Sequence, residues 1–130
     1  MSNPFAHQEQ QALATLGGYL DALNARDSQA MRAHFHFPHY RMAGTVMTVY
    51  ESAQDYGIDN FLNRADTPGW AYTRWDRRQV IHSGAVKVHL DVQFTRYRDD
   101  DSVLGTYQSL WVVILRDKKW GIVSRSSYAA

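Results

Sequence analysis

Residues 86–95 read VKVHLDVQFT, and their pattern is the clearest structural signal in the chain. Apolar side chains occupy every second position from Val86 to Phe94. Because successive side chains of a β-strand point to opposite faces, this alternation predicts a strand with one apolar and one polar face. Such a strand is typical of an antiparallel sheet that covers a core with one face and meets solvent or a partner with the other.

Charged turns separate this strand from two more on its C-terminal side. Residues 98–102 and 116–119 are polar and predict turns. Residues 103–115 predict a longer and more continuously apolar strand, and residues 120–128 predict the last strand. We therefore expect the second half of the chain to form a meander of long hairpins.

The first half of the chain has helical periodicity. Four leucines within residues 5–26 recur at spacings of three and four, which places them on one side of a helix: Leu13, Leu16, Leu20 and Leu23. Asp27 is a preferred N-cap type and predicts a short second helix that Pro38 must terminate. A hairpin with its turn at Gly44 and a third helix over residues 51–64 follow.

Length and composition restrict both fold and function. The chain has the length of one domain, and no repeat or linker divides residues 1–130, so a single α+β domain is predicted. The 14 Lys and Arg residues balance 13 Asp and Glu residues, which offers no net field to attract nucleic acid or an anionic membrane. Cysteine is absent, which excludes disulfides, thiolate nucleophiles and sulfur-ligated zinc.

The distribution of apolar residues predicts the cellular location. The longest apolar run, residues 110–115, is far shorter than the roughly 20 residues that a membrane-spanning helix needs. The start of the chain lacks the basic and apolar regions of a secretory signal. We therefore expect a cytoplasmic protein that does not associate with membranes.

The order of elements and four short stretches resemble the nuclear transport factor two-like fold. The stretches are LNARD at 23–27, HFHFPH at 34–39, VQFTR at 92–96 and DKKWGIV at 117–123. The last of them looks most like small SnoaL-like or ketosteroid isomerase-like proteins. The resemblance implies a strongly curved antiparallel sheet wrapped into a cone around the N-terminal helix, with two further short helices. It also implies a pocket for a small hydrophobic ligand and a homodimer formed through the outer face of the sheet.

The resemblance also implies site residues. Steroid isomerases of this fold stabilise an oxyanion with a tyrosine on the first helix, and Tyr19, eight residues before Asp27, resembles it in position. The other reading places Tyr19 at the edge of the helix stripe with its hydroxyl at the rim. The two family acids have no counterpart, because Ala43 and Val112 stand where they would be. A classical steroid isomerase is therefore not expected.

Histidine is the predicted replacement for the missing base, since its unperturbed pKa of about 6.5 suits acid–base work at neutral pH. His39 follows Pro38 on the strand that would carry the base and is the candidate. Its alternative role is a local hydrogen bond that holds the turn between helix and strand. No His-x-x-x-His pair and no G-x-G-x-x-G loop occurs, so neither a metal nor a nucleotide cofactor is predicted.

Four residues in the second half are candidates for ligand binding. Arg125 interrupts an otherwise small or apolar strand, and if it points inward it needs a partner, for which Asp76 is the nearest candidate. Asp76 and Arg125 could equally form a structural pair, or Arg125 could lie at the surface. Trp70 and Trp75 are expected near the pocket entrance, although aromatic residues also fill cores and interfaces.

Two hypotheses of function follow. The first is a cofactor-free isomerase, cyclase or dehydratase of the SnoaL-like kind that acts on a hydrophobic carbonyl compound, with His39 as base, Tyr19 as oxyanion donor and Arg125 orienting the ligand. The second is a non-catalytic module of the same fold that binds a ligand or another protein. The absence of both family acids favours the second.

Overall fold

The computed structural model describes residues 2–130. Within them the helices are α1 (Ala6–Asn24), α2 (Ser28–Ala33) and α3 (Ile58–Leu62), and a 3₁₀ turn covers Ala53–Asp55. The strands are β1 (Phe35–Ala43), β2 (Val46–Tyr50), β3 (Tyr72–Ser83), β4 (Lys87–Tyr97), β5 (Val103–Arg116) and β6 (Lys119–Ser127). The predicted order of helices, hairpin and C-terminal meander is confirmed.

The strands of the described chain form one curved sheet in the order β2-β1-β6-β5-β4-β3. All neighbours are antiparallel except β1 and β6, which run parallel, with Arg41 paired to Arg125. The sheet is therefore mixed at this one junction, where the sequence predicted antiparallel strands. Residue patterns predict which segments are strands, but β1 and β6 are far apart in sequence and no short hairpin fixes their relative direction.

Helix α1 covers one face of the sheet, which is called the inner face below. The leucine stripe predicted the buried side of this helix, where Leu16 and Leu23 are enclosed. In β4 the alternation places Val88, Leu90 and Val92 on the inner face with no exposure. These residues form the core between helix and sheet, and burial of their side chains stabilises the fold by about 1.5–3 kcal/mol each.

Two local features differ from expectation. Helix α2 ends at Ala33, and Pro38 lies inside β1 instead of ending the helix. This places His39 in the middle of a strand. The helix expected over residues 51–64 is broken by extended backbone at Tyr56, with φ −130° and ψ 140°. Tyr56 is 1% exposed, so the break carries its ring into the core.

None of the helices within residues 2–130 combines the length and the apolar character needed to cross a membrane.

Candidate functional site

The centre of the inner face is occupied by a buried arginine. Arg125 of β6 lies between Arg41 of β1 and Trp111 of β5 in the sheet register, and it is 6% exposed. Its guanidinium carbon lies 4.9–5.7 Å from the centroids of four aromatic rings, those of Tyr19, Phe35, Tyr56 and Trp111. These distances are in the range of cation–π contacts, which stabilise a desolvated cation.

His39 holds the guanidinium of Arg125 from the side. Arg125 Nε donates to His39 Nε2 at 3.0 Å, and His39 Nδ1 donates to the carbonyl oxygen of Ile122 at 2.9 Å. The imidazole is also stacked on Phe35, with ring centroids 3.9 Å apart and planes at 4°. Two hydrogen bonds and one stacking contact therefore fix the neutral tautomer with its proton on Nδ1.

This geometry gives His39 a different role from that of a free base. Burial and the neighbouring Arg125 cation lower the pKa of His39 to about 2. The lone pair of Nε2 that would accept a substrate proton already accepts a hydrogen bond from Arg125. In this structure His39 positions Arg125. The alternative role predicted for His39, a structural hydrogen bond, agrees better with its two observed hydrogen bonds, to the Ile122 carbonyl oxygen and to Arg125.

Tyr19 and Tyr56 form a hydrogen-bonded hydroxyl pair next to Arg125. Burial raises the pKa of Tyr19, and its neighbour Tyr56 raises it further. Burial also opposes ionisation of Tyr56, but the Arg125 and Arg64 cations and the hydrogen bond with Tyr19 outweigh it and hold the pKa of Tyr56 below its usual value. The pair therefore contains one hydroxyl that loses its proton more readily than an ordinary tyrosine.

Arg125 keeps its charge in these surroundings. Burial by itself would lower the pKa of its guanidinium, but the Tyr19 and Tyr56 hydroxyls raise it above the usual value. The expected partner, Asp76, does not contact Arg125. Asp76 is exposed on the opposite face of the sheet, where Thr95 Oγ1 donates to its carboxylate at 2.6 Å. The predicted Arg125–Asp76 pair is therefore wrong, because Trp75 faces the cavity and the alternation of the strand places the next residue, Asp76, on the opposite face.

A small cavity of about 30 Å³ lies beside this cluster on the inner face. Its lining includes Tyr19, Trp75 and Trp111, together with two arginines, Arg64 and Arg96. A volume of this size holds about one or two water molecules. His39 and Arg125 lie behind the Tyr19 and Trp111 walls and do not themselves line the cavity, so the sequence prediction joined residues that belong to two adjacent layers.

Of the two tryptophans predicted near the pocket entrance, only Trp75 lines the cavity. Trp75 lines the cavity and packs edge-on against Trp111 at 5.3 Å. Trp70 is buried beside Phe61 at 4.8 Å, and its Nε1 donates to Thr73 Oγ1 at 2.8 Å. Trp70 therefore has a structural role in the core, which was the alternative for these aromatic residues.

Three functional candidates escaped the sequence analysis: Tyr56, Arg64 and Arg96. Arg96 had a signal, because it follows Phe94 by two residues and so continues the apolar face of β4. It is 1% exposed and donates to Asp66 at 2.7 Å. Arg64 follows α3 in a loop without periodicity, and Tyr56 lies in the unforeseen helix break. No local pattern could have marked either residue.

Acidic residues are missing from this site. Val112 lies opposite His89 and Ser124 in the sheet register and is half-buried, and no Asp or Glu of residues 2–130 lines the cavity. The described part of the chain also holds no cluster of three or more His, Cys, Asp or Glu residues that could bind a metal. The chemistry of the site therefore depends on tyrosine hydroxyls and guanidinium groups.

A long helix packed on a curved mixed sheet is the architecture of NTF2-like proteins. A family model described as "NTF2-like protein (DUF6841)" matches residues 8–130, and the chain belongs to this family. The predicted fold class and family are thus confirmed. No curated protein matches the chain.

Solved structures agree with this assignment. A protein of unknown function with a cystatin-like fold from Nostoc punctiforme superposes with a TM-score of 0.77 at 12% identity, covering 96% of this chain and 92% of that one. A ketosteroid isomerase-like protein from Erwinia carotovora atroseptica has a TM-score of 0.70 at 16% identity, with 95% and 96% covered. An NTF2-like protein from Novosphingobium aromaticivorans has a TM-score of 0.74 at 13% identity, with 93% and 80% covered. At these identities the similarity shows the fold alone.

Proposed function

We propose that this protein is a cofactor-free acid–base enzyme that acts on a hydrophobic carbonyl compound, with the Tyr19–Tyr56 pair as its proton-transfer group. The observation that carries the proposal is the hydroxyl pair itself, which joins a tyrosine at the cavity to one whose pKa the neighbouring cations depress. A structural neighbour described as ketosteroid isomerase-like supports the choice of reaction class.

The proposed reaction begins from the pair with Tyr56 ionised. Tyr19 then donates its hydroxyl hydrogen to the Tyr56 oxygen, so a lone pair of Tyr19 faces the cavity. Tyr19 takes the proton from the carbon next to the substrate carbonyl while it passes its own proton to Tyr56. Both tyrosines end neutral, and the substrate becomes an enolate. Reprotonation of the enolate at another carbon, or loss of a leaving group, gives isomerisation or dehydration.

Positive charge on the inner face stabilises the negative charge that this step creates on the substrate. Arg64 lines the cavity, and the Arg125 cation lies beside the Tyr19 ring at 5.7 Å. Charges fixed in a desolvated site act strongly on a developing oxyanion, because they need no reorganisation during the reaction. His39 contributes by holding Arg125 in place. This replaces the role of base that the sequence suggested for it.

Hydrogen exchange tests the proposal. Phenylacetone incubated with the protein in D₂O should exchange its hydrogens next to the carbonyl, as followed by ¹H NMR. Tyr19→Phe and Tyr56→Phe should each lower the rate at least about 100-fold, a loss typical of removing an acid–base group. Tyr40→Phe is the matched control, because Tyr40 is 41% exposed on the outer face and should keep the full rate. Unchanged exchange in both cavity variants would refute the assignment.

The second candidate is a ligand-binding module without catalysis. Two observations favour it: the cavity is only about 30 Å³, and the residues that line it within 2–130 include no carboxylate base. In that case the protein would not accelerate the hydrogen exchange of phenylacetone in D₂O above its rate without protein. The exchange experiment therefore separates the two candidates.

We also propose that the protein forms a homodimer through the outer face of its sheet. A row of side chains crosses four strands there, from Met47 through Met42 and Ser126 to Leu110. Met47 and Leu110 are each 51% exposed. Adjacent apolar side chains at the surface favour a protein contact. The cytoplasm is the proposed location, which cell fractionation would test.

A further inference from the structure

The inner face carries more positive than negative charge. Five arginines lie there among the described residues: Arg41, Arg64, Arg78, Arg96 and Arg125. Within residues 2–130, the ion pairs are Arg96–Asp66 on the inner face and Arg77–Asp91 on the outer face. Arg41 instead donates to the backbone oxygens of Ala129 and Ala130. Arg64 and Arg125 thus have no carboxylate partner in the described chain.

Three residues that line the cavity carry unsatisfied donors. Three lining residues each have one buried donor atom that no atom of residues 2–130 accepts from: Arg64 Nη2, Trp75 Nε1 and Arg96 Nε. Arg125 Nη2, in the adjacent layer, is also without an acceptor in that range. Buried polar atoms are nearly always hydrogen-bonded in native proteins, because an unpaired donor loses its hydration without compensation. All four atoms are donors, and three of them belong to residues that line the cavity, so a ligand rich in acceptors would complement this lining.

We propose that the cavity recognises the carboxylate of a planar aromatic or unsaturated acid, with Arg64 and Arg96 as the binding residues. The planar guanidinium matches the planar carboxylate and can donate two parallel hydrogen bonds. Aromatic walls formed by Trp75, Phe94 and Trp111 match a flat hydrophobic body. This inference rests on the proposed function in one respect. It takes the bound acid to be the substrate of the proposed enzyme, which is then a carbonyl compound that also carries a carboxylate.

The two arginines occupy different depths. Arg96 is fully enclosed and held by Asp66 at 2.7 Å, whereas Arg64 is partly exposed. Arg96 is therefore the fixed part of the carboxylate site. Arg64, with a long side chain and a guanidinium 5.2 Å above the Phe61 ring, is the part that rotates to admit a ligand larger than the present 30 Å³.

Calorimetric titration with benzoate and with benzamide, its neutral isostere, tests the inference at fixed ionic strength. Benzoate should bind the wild-type protein at least tenfold more tightly than benzamide. Arg64→Gln should weaken benzoate binding at least tenfold and leave benzamide within twofold. Arg77→Gln is the matched control, because it removes a guanidinium from the outer face of the same sheet and should change neither affinity.

Several outcomes would overturn the inference. Equal affinity for the two probes, equal losses of both in Arg64→Gln, or binding of neither probe would each do so. Arg64→Lys serves if Arg64→Gln unfolds: it keeps the charge, loses the planar donor pair, and should still weaken benzoate binding. The experiment is independent of the exchange assay. Selective binding of benzoate without phenylacetone exchange would support the carboxylate site and refute the enzyme. Phenylacetone exchange without selective binding of benzoate would support the enzyme and refute the carboxylate site.

Discussion

The two ring nitrogens of His39 are both engaged, Nδ1 with the Ile122 carbonyl and Nε2 with Arg125 Nε. The sequence places His39 on the strand that would carry the base, and its unperturbed pKa near neutral pH made that role plausible. In the structure His39 is buried and cannot act as a base, because a protonated ring would lose the lone pair that accepts from Arg125 and would lie next to a guanidinium cation. Neither the depth of His39 nor its neighbour can be read from residues 34–39 alone.

This environment makes stability depend on pH in a defined direction. The pKa of His39 is about 2 in the folded protein against an ordinary 6.5, so below pH 6.5 the unfolded chain binds a proton that the folded chain does not. The free energy of unfolding therefore falls as the pH falls, by up to about 1.4 kcal/mol per pH unit. Between pH 6.5 and 4.5 we expect a loss of about 2–3 kcal/mol from this group.

Urea unfolding at the two pH values measures this loss. His39→Leu should be less stable than wild type by about 1–3 kcal/mol at pH 6.5, because Arg125 Nε loses its acceptor. It should also lack the His39 share of the pH dependence. His7→Leu is the control, because His7 is exposed on α1 and its variant should retain the wild-type slope. A His39→Leu slope equal to that of wild type would contradict the burial argument.

At the scale of elements, the sequence predicted regular structure well and its interruptions poorly. The alternation in β4 predicted its buried face because one physical cause, contact with the core, repeats every second residue. The break at Tyr56 has no such repetition. It depends on the way Gly57 fits against α2, where a Cβ on Gly57 would lie 2.9 Å from Ser28 Oγ. Only the assembled fold contains that contact.

Replacement of Gly57 tests whether this fit fixes the position of Tyr56. Gly57 has extended backbone with φ −177°, so the substitution is opposed by crowding and not by its dihedral angles. Gly57→Ala should destabilise the protein by about 1–3 kcal/mol, as overpacking does, and should reduce phenylacetone exchange by displacing the tyrosine pair. Thermal unfolding and the exchange assay measure both effects.

Gly84→Ala is the matched control for that variant. A Cβ at Gly84 would approach its nearest neighbour, the Lys87 carbonyl oxygen, at an ordinary 3.5 Å. It should therefore change neither unfolding nor exchange. Equal effects of the two substitutions would show that contact with α2 does not position Tyr56.

For the whole molecule, the sequence predicted a curved sheet over a helix, and the structure confirms it. The site was only partly foreseen, because it is assembled from distant segments. The sequence marked Arg125 as a lone charge on an apolar strand but left open whether it faces inward or lies at the surface, and the structure buries it on the inner face. Its surroundings come from α1, β1 and the Tyr56 break, and no local pattern relates these segments to one another.

The outer face gives a test at this scale. Leu110→Asp places a charge on the row from Met47 to Leu110 on the outer face and should convert the proposed homodimer into a monomer, because an unpaired charge at an interface is strongly disfavoured. Light scattering coupled to size-exclusion chromatography measures the mass. Leu62→Asp is the control, since Leu62 is 40% exposed but lies on α3. A wild-type monomer, or a Leu110→Asp dimer, would refute the interface.

The parallel pairing of β1 with β6 has a consequence for synthesis on the ribosome. Strand β1 is translated before the other strands of the sheet, yet one of its two neighbours, β6, is the last strand of the sheet to be translated and ends at Ser127. Before β6 is translated, the nascent polypeptide can form α1 and the β1–β2 hairpin. The aromatic rings that contact Arg125 in the folded protein then lack this contact. Folding of the sheet is therefore expected to finish only after β6 has been translated, because this strand is inserted beside β1, which was translated long before it.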